Sequence, residues 1–301
     1  MPKMQKRYNL EVHMSKFYTP LRYPGGKGRL TNYIAQVMKL NDLQGGSYIE
    51  PYAGGAGIAI ELLVTQQVSH IHLNDLNGAI YAFWHSVLHQ PDELCSLISD
   101  TQVNMENWFL QKEIIENPSN YSILELGFAT FFLNRTNRSG IIFNGGVIGG
   151  KQQTGNWKID ARFNKPGLIG RIKEIQKLTH RISLTQLDAS DFVSILLPTM
   201  PKKSLVYFDP PYFVKGQGLY QNHYNPDDHK KIAGLIQSGI KQTWLVSYDN
   251  APEICKLYKK RRQLEFSLNY SAQLKYKGTE VMIFKDKMTI PDQKSPLNVA
   301  A

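Results

Sequence analysis

A short apolar run, Ser47–Glu50, ends in Pro51-Tyr52-Ala53-Gly54-Gly55-Ala56-Gly57 and passes directly into a second apolar run, Ile58–Thr65. A strand that stops on a glycine-rich loop and restarts as a helix is the opening unit of a doubly wound sheet, in which ligands gather at the carboxyl ends of the strands. The rest of the chain keeps the alternation. Strands are predicted at Ile71–Leu73, Ile182–Leu187, Leu205–Phe208 and Thr243–Ser247, and helices at Ala79–His89, Asp92–Ser99, Tyr121–Leu133, Leu168–Leu178 and Pro226–Gln237. Strands interleaved with helices imply a mainly parallel sheet, and the late runs Leu264–Leu268 and Val281–Phe284 suit an antiparallel edge pair. The expected fold class is α/β, doubly wound and Rossmann-like.

Residues 80–170 interrupt that rhythm and read as a mainly helical insertion between two pieces of one domain, 21–79 and 171–285. A basic arm (1–20) and a tail (286–301) flank them. Within the insertion, residues 134–165 hold five Asn, six Gly, six Lys or Arg and one acid, a local charge of +5. The whole chain of 301 residues carries 35 Lys and Arg against 25 Asp and Glu, a net +10. Such an excess favours a polyanionic partner, nucleic acid first. With 42% apolar and 20% charged residues a disordered chain is excluded. No run approaches the roughly 18 apolar residues of a membrane span, and the first residues lack the apolar core of a secretory signal. Cys95 and Cys255 form no CxxC, which suits a reducing, cytoplasmic setting. A monomer is expected.

Asp75 follows Gly54 by 21 residues, at the end of the next strand. A carboxylate there can accept both hydroxyls of a ribose; the bland alternative is a tight turn beside a solvent-facing acid. A dinucleotide would need a third glycine at position 60, where Ile60 stands. S-adenosylmethionine, which has a nucleoside but no pyrophosphate, suits the loop better.

Val206-Tyr207-Phe208-Asp209-Pro210-Pro211-Tyr212 is the most informative segment. Two prolines cannot extend a central strand, but they stiffen a turn. Asp209 and the Pro210 carbonyl offer two acceptors, and Tyr212 offers an aromatic face. An exocyclic amino group on a flat base presents the complementary two N–H donors. Drawing on those hydrogens localises the nitrogen lone pair toward an electrophilic methyl, and the displacement is then helped by orientation and electrostatics.

With the glycine loop and Asp209–Tyr212 together, the chain resembles the Dam-type, alpha-group DNA adenine-N6 methyltransferases over most of residues 20–285. Arg22-Tyr23-Pro24-Gly25-Gly26-Lys27 is similar to the family's N-terminal cofactor motif, which implies that Tyr23, Gly25, Gly26 and Lys27 bind the cofactor, with Tyr23 and Lys27 at the methionine part of S-adenosylmethionine. Glu50, Pro51, Gly54, Gly55 and Gly57 match the glycine motif, with Tyr52 where Phe is usual. Asp75 matches the ribose-binding acid, and Asp188 the residue near the cofactor's adenine, with Asp191 a competitor for that role. Asp209, Pro210, Pro211 and Tyr212 match the catalytic motif. Phe132-Leu133-Asn134-Arg135, Ser139-Gly140 and Phe143-Asn144 are similar to the start of the DNA-reading hairpin. The resemblance implies a Rossmann-like S-adenosylmethionine-dependent domain with an inserted target-recognition domain, acting on a flipped-out adenine in double-stranded DNA, often in a restriction-modification setting.

The chemistry of residues 134–165 agrees, since Arg reads guanine edges, Asn or Gln reads adenine, and Lys neutralises phosphate. Arg135, Arg138, Asn144, Gln152, Gln153, Asn156 and Arg162 are base-edge candidates. Lys151, Lys158 and Lys165 are phosphate candidates, and Phe143 and Trp157 are candidate wedges. His85 and His89 lack the glutamate of a zinc motif and read as a helix-surface pair, so no metal is expected. His70 and His72 are expected to face solvent, and Phe128, Phe131 and Phe132 to be helix core. Ser247-Tyr248-Asp249-Asn250 reads equally as pocket lining or as a capping turn. N4-cytosine methylation, RNA adenine methylation and a silent DNA-binding relative are the competing functions.

Overall fold

The computed structural model describes residues 18–22, 27–214, 224–270 and 276–292. Most of the basic arm, the end of the tail, and Tyr23, Gly25 and Gly26 lie outside the described residues. Among the described residues seven strands form one sheet: β1 (Ser47–Glu50), β2 (His70–Asn74), β3 (Ile182–Thr185), β4 (Ser204–Phe208), β5 (Thr243–Asp249), β6 (Arg262–Tyr270) and β7 (Tyr276–Phe284). Their order is β3-β2-β1-β4-β5-β7-β6. The first five are parallel, and β7 runs antiparallel between β5 and β6. This is the doubly wound, Rossmann-like sheet expected, with strand order reversing at β1 and β4, where such sheets place their ligand crevice.

Among the described residues the longer helices are α1 (Thr31–Leu40), α2 (Gly57–Val64), α3 (Gly78–His89), α4 (Pro91–Asp100), α5 (Met105–Glu116), α6 (Ile123–Thr136), α7 (Lys165–Gln176), α8 (Pro226–Gly239) and α9 (Pro252–Leu257). Their starts follow local chemistry. Ser122 and Glu125 form a capping box before α6, and Asn225 with Asp228 forms another before α8, whose first residue is Pro226.

Successive residues of the central strands face opposite layers, as pleating requires. On β4, Leu205 and Tyr207 join one buried cluster while Val206 and Phe208 join the other. The first cluster also contains Tyr33, Ile60, Phe83, Trp84, Phe128, Phe131, Phe132 and Phe163. The three phenylalanines of α6 are therefore core, as expected. The helices of 80–170 also share their core with the sheet instead of packing around one of their own. Contact between α3 and α6 is close enough that a Cβ on Gly127 would lie 2.6 Å from the Ala82 carbonyl oxygen.

Two expectations need correction. Strand β3 ends at Thr185 instead of Leu187 because the Asn74 side chain takes the Leu187 backbone, accepting from its N–H at 2.9 Å and donating to its carbonyl at 3.0 Å. His70 and His72 are half-buried, not solvent-facing, because β3 lies alongside them and the Phe192 ring packs 5.3 Å from the His72 ring. Their Nε2 atoms meet the Ser183 and Thr185 hydroxyls at 2.9 and 3.1 Å. Burial, with His70 adding to it, pushes His72 down to about 4.

Candidate active site

Strands β1 and β4 pair in parallel with Ile49 opposite Val206. The loop 51–57 and the loop 209–212 consequently leave adjacent strands on the same edge of the sheet. In the first loop Gly54 has φ 46° and Ala56 φ 45°. This left-handed conformation suits glycine and strains an alanine.

Ties from distant residues hold that path. The Gly54 N–H donates to Asp75 Oδ2 at 2.8 Å, and Trp84 Nε1 donates to the Gly54 carbonyl at 2.8 Å. The Thr19 hydroxyl donates to the Gly55 carbonyl at 2.5 Å. Buried Asn74 donates to the Pro51 carbonyl at 3.0 Å, binding the ends of β1, β2 and β3 together. Gly57 is the first residue of α2, and the buried Glu50 carboxyl accepts the N–H of Ala59 in its first turn. Burial and the charge of Asp209 push Glu50 up to about 8, against the pull of Tyr48 and the Ala59 N–H.

Asp75 accepts from Gly54 on one oxygen and from the Asn77 N–H, at 2.9 Å, on the other. Burial pushes its carboxyl up to about 6, with both backbone donors opposing. Asp188 is half-buried at the end of β3 and caps the turn Ala189–Asp191 by accepting the Ser190 N–H at 2.8 Å, while Asp191 is exposed.

The second loop is held more tightly. Asp209 Oδ1 accepts from the Ser247 hydroxyl at 2.8 Å and lies 3.1 Å from Lys27 Nζ. Ser247 Oγ is in turn 2.7 Å from the Tyr207 hydroxyl. Asp249 accepts the N–H groups of Phe213 and Val214, each at 2.9 Å, and so pins the backbone just past Tyr212. Lys27 Nζ donates to Ser247 at 3.1 Å and to Glu280 at 2.7 Å, and lies 5.5 Å from the centre of the Tyr212 ring. The Tyr212 hydroxyl donates to the other oxygen of Glu280. Burial alone lowers the Lys27 ammonium, but Asp209, Tyr207 and Glu280 outweigh it and hold it well above the ordinary lysine range.

Lys27, Asp209 and Tyr212 are thus brought together as one network with Ser247 and Glu280. Lys27 turns its ammonium toward the catalytic-motif aspartate and Glu280. Ser247 and Asp249, left open by the sequence, position the Asp209–Tyr212 turn. Sequence reading missed Glu280 altogether; its one signal is an acid immediately before the apolar run Val281–Phe284.

Of the DNA-facing candidates, Arg138, Asn144, Lys151, Gln152, Asn156, Trp157, Lys158 and Arg162 are exposed. Trp157 is 69% exposed, with the Arg162 guanidinium 5.9 Å from its ring centre. Asn137 and Val147 form an antiparallel bridge, so residues 137–147 make a hairpin-like loop.

Other candidates serve the loop itself. Gln153 donates to the Ile148 and Gly150 carbonyls and accepts from the Ile159 N–H, which removes it as a base reader. Lys165 donates to the carbonyls of Ser99 and Thr101 at the end of α4. Phe143 is half-buried against the core. Asn134, buried on α6, accepts the Arg22 N–H and donates to its carbonyl, fixing the entry to the N-terminal cofactor motif. Arg135 donates to the Arg162 carbonyl at 2.8 Å. Burial first, then Arg22, Arg171 and Arg162, push it down to about 9. No ion pair joins any of these four arginines among the described residues.

A family model described as D12 class N6 adenine-specific DNA methyltransferase matches residues 23–274. The type II methyltransferase M.MjaIII of Methanocaldococcus jannaschii is 23% identical over 262 residues, covering 79% of this chain and 86% of that protein. Among solved structures, the rRNA methyltransferase aviRa of Streptomyces viridochromogenes is similar at a TM-score of 0.42 and 15% identity, covering 92% of this chain and 95% of that one. The matched span runs from the N-terminal motif past β6 and includes both the glycine loop and Asp209–Tyr212. The chain therefore belongs to the D12 class N6 adenine-specific DNA methyltransferases, enzymes that move a methyl group from S-adenosylmethionine to adenine in DNA.

Proposed function

We propose that this protein methylates N6 of an adenine rotated out of double-stranded DNA, with the base clamped by Asp209, Pro210 and Tyr212 beside the glycine loop. The reading is carried by one observation. The Asp209 turn and the Gly54–Gly57 loop leave neighbouring parallel strands at the point where strand order reverses, and Asp209 is oriented there by Ser247 and Lys27.

The donor site fits the same chemistry. Each Asp75 oxygen carries one backbone donor, and a carboxylate oxygen accepts two, so a ribose diol has an acceptor on each. Position 60, where a dinucleotide fingerprint needs glycine, is a fully buried Ile60 in α2. S-adenosylmethionine, when bound, supplies a sulfonium methyl open to in-line attack. Gly54, Gly55, Gly57 and Asp75 would hold it, with Glu50, Pro51 and Asp188 bordering it. Asp209 and the Pro210 carbonyl draw on the two N6 hydrogens, Tyr212 borders the base, and Pro211 keeps the turn rigid.

The exposed face carrying Arg138, Asn144, Lys151, Trp157, Lys158 and Arg162 is the DNA surface in this reading. Duplex binding there follows from exposed cations and an exposed ring on a loop fixed from within by Gln153. No described helix is long and apolar enough to cross a membrane.

Asp209→Ala is the test. Turnover should fall by at least about a hundredfold, as loss of a positioned polar group at a developing charge does, while S-adenosylmethionine affinity stays close to wild type. Mass spectrometry of nucleosides from DNA and RNA exposed to the active protein should show N6-methyladenine from DNA. Unimpaired turnover in the variant would refute the clamp, and N4-methylcytosine as the product would replace the substrate.

A further inference from the structure

Strand β7 is apolar and buried at Val281, Met282, Ile283 and Phe284, yet the residue before them is a carboxylic acid that is 1% exposed. A buried carboxylate is tolerated only with partners that replace water. In the ladder, Glu280 lies directly across from Asp249 and two residues from Ser247's partner Met282. Glu280, Ser247 and Asp249 therefore share the face of the sheet that carries Tyr207. That face also receives Lys27, from a segment more than 250 positions away in sequence.

Glu280 receives a donor on each oxygen: the Tyr212 hydroxyl on Oε1 and the Lys27 ammonium, at 2.7 Å, on Oε2. Lys27 continues to Asp209 Oδ1 at 3.1 Å. One carboxylate thus touches one residue of the Asp209–Tyr212 turn directly and another through a single ammonium. Two carboxylates share one lysine, so the charge of Lys27 sits between them, and its place depends on both. Stability alone would be served as well by an apolar residue continuing the β7 run.

We infer that Glu280 is a positioning residue for methyl transfer, fixing the tilt of the Tyr212 ring and the placement of Lys27, and through Lys27 the orientation of the Asp209 carboxylate. The inference rests on the proposed role of Asp209 and Tyr212. It goes beyond that role by placing the control of both on a strand outside the recognised motifs.

Glu280→Gln keeps the volume and one acceptor but puts an amide N–H2 where an acceptor faced a cation. Tyr212→Phe keeps the ring and removes the bond to the other oxygen of Glu280. In each, kcat should fall between about ten- and a hundredfold, the size of a misplacement effect. S-adenosylmethionine and DNA dissociation constants should stay within about threefold. Glu280→Gln should also bring the alkaline limb of the rate profile to lower pH, because Lys27 loses one of the carboxylates that keep it charged. In a double variant with Glu280→Leu, which has no acceptor for either donor, Tyr212→Phe should cost nothing further, since the bond it removes is already gone.

A folded Glu280→Gln protein with wild-type kcat overturns the inference, as do effects that multiply in the double variant with no change in pH profile. If Glu280→Gln fails to fold, Tyr212→Phe decides, and wild-type kcat there overturns it equally. Asp209→Ala separates this outcome from failure of the clamp: an inactive Asp209→Ala beside a fully active Glu280→Gln removes only the role of Glu280.

Discussion

Lys27→Met removes one ammonium and replaces it with a chain of similar length. What remains is Asp209 and Glu280 facing each other with no cation between them, at side-chain exposures of 23% and 1%. Removing one partner of a buried ion pair costs about 3–5 kcal/mol because the other charge is left without a counter-charge. The partial exposure of Asp209 lets water screen it, so the low end, about 3 kcal/mol, applies here.

The pH dependence has a definite sign. Burial already raises the Glu280 carboxyl, with Asp209 adding to it and Lys27 opposing. A carboxyl with a raised native pKa makes the folded state hold its proton longer, so stability from it falls as pH rises above the unfolded value of about 4.3. Without Lys27 that rise is larger, and the penalty grows from pH 5 toward pH 8. In the wild type, Lys27 is held above its unfolded value, so its contribution is intact below about pH 10.4 and is lost as pH climbs through the native value. Thermal unfolding at pH 5 and pH 8 measures the difference. At this length about 2 °C per kcal/mol is expected, giving a gap of about 6 °C at pH 8 that narrows at pH 5. A gap of equal size at both values would refute the charge argument, and no gap would show that Lys27 does not serve as the counter-charge.

Asp75→Asn should weaken S-adenosylmethionine binding by about tenfold through loss of a charged acceptor. Wild-type binding measured by calorimetry should itself weaken as pH falls through about 6, where the buried Asp75 carboxyl takes a proton, and the variant should lose that dependence. Gly127→Ala should destabilise the fold by about 1–3 kcal/mol by overpacking, because the new Cβ meets the Ala82 backbone, which cannot rotate away. Denaturant unfolding checks this, with an unchanged midpoint as the contrary result.

The parallel sheet was readable because its strands are short, apolar and bounded by turn residues, and because the loops that follow them carry glycine or proline. The antiparallel pair was readable as well, although both strands run longer than their apolar cores, from Arg262 to Tyr270 and from Tyr276 to Phe284. Helix α5 escaped notice because only Trp108, Gln111 and Ile114 are buried on it, and a buried glutamine breaks the apolar stripe that periodicity depends on. The reading of 80–170 as an insertion rests on the change of pattern alone. Sequence could not show that Phe83, Phe131 and Tyr33 would share one core.

The site divides along the same line. Asp75 and Asp209 stand at strand ends, where chain direction alone fixes the neighbourhood, so spacing and residue type were enough to expect their placement beside the glycine loop and Lys27. Gln153, Asn134 and Lys165 have the residue types of DNA contacts, but each lies where a backbone carbonyl or N–H needs a partner, and that need takes precedence. Glu280 shows the converse. Nothing in Thr279-Glu280-Val281 marks chemistry, and its role arises only because β7 lies beside β5, which brings the acid onto the face shared by Lys27 and Ser247. Residues that act at a strand's end can be read from the strand, whereas a residue that acts through its neighbours becomes visible only once the order of strands is known.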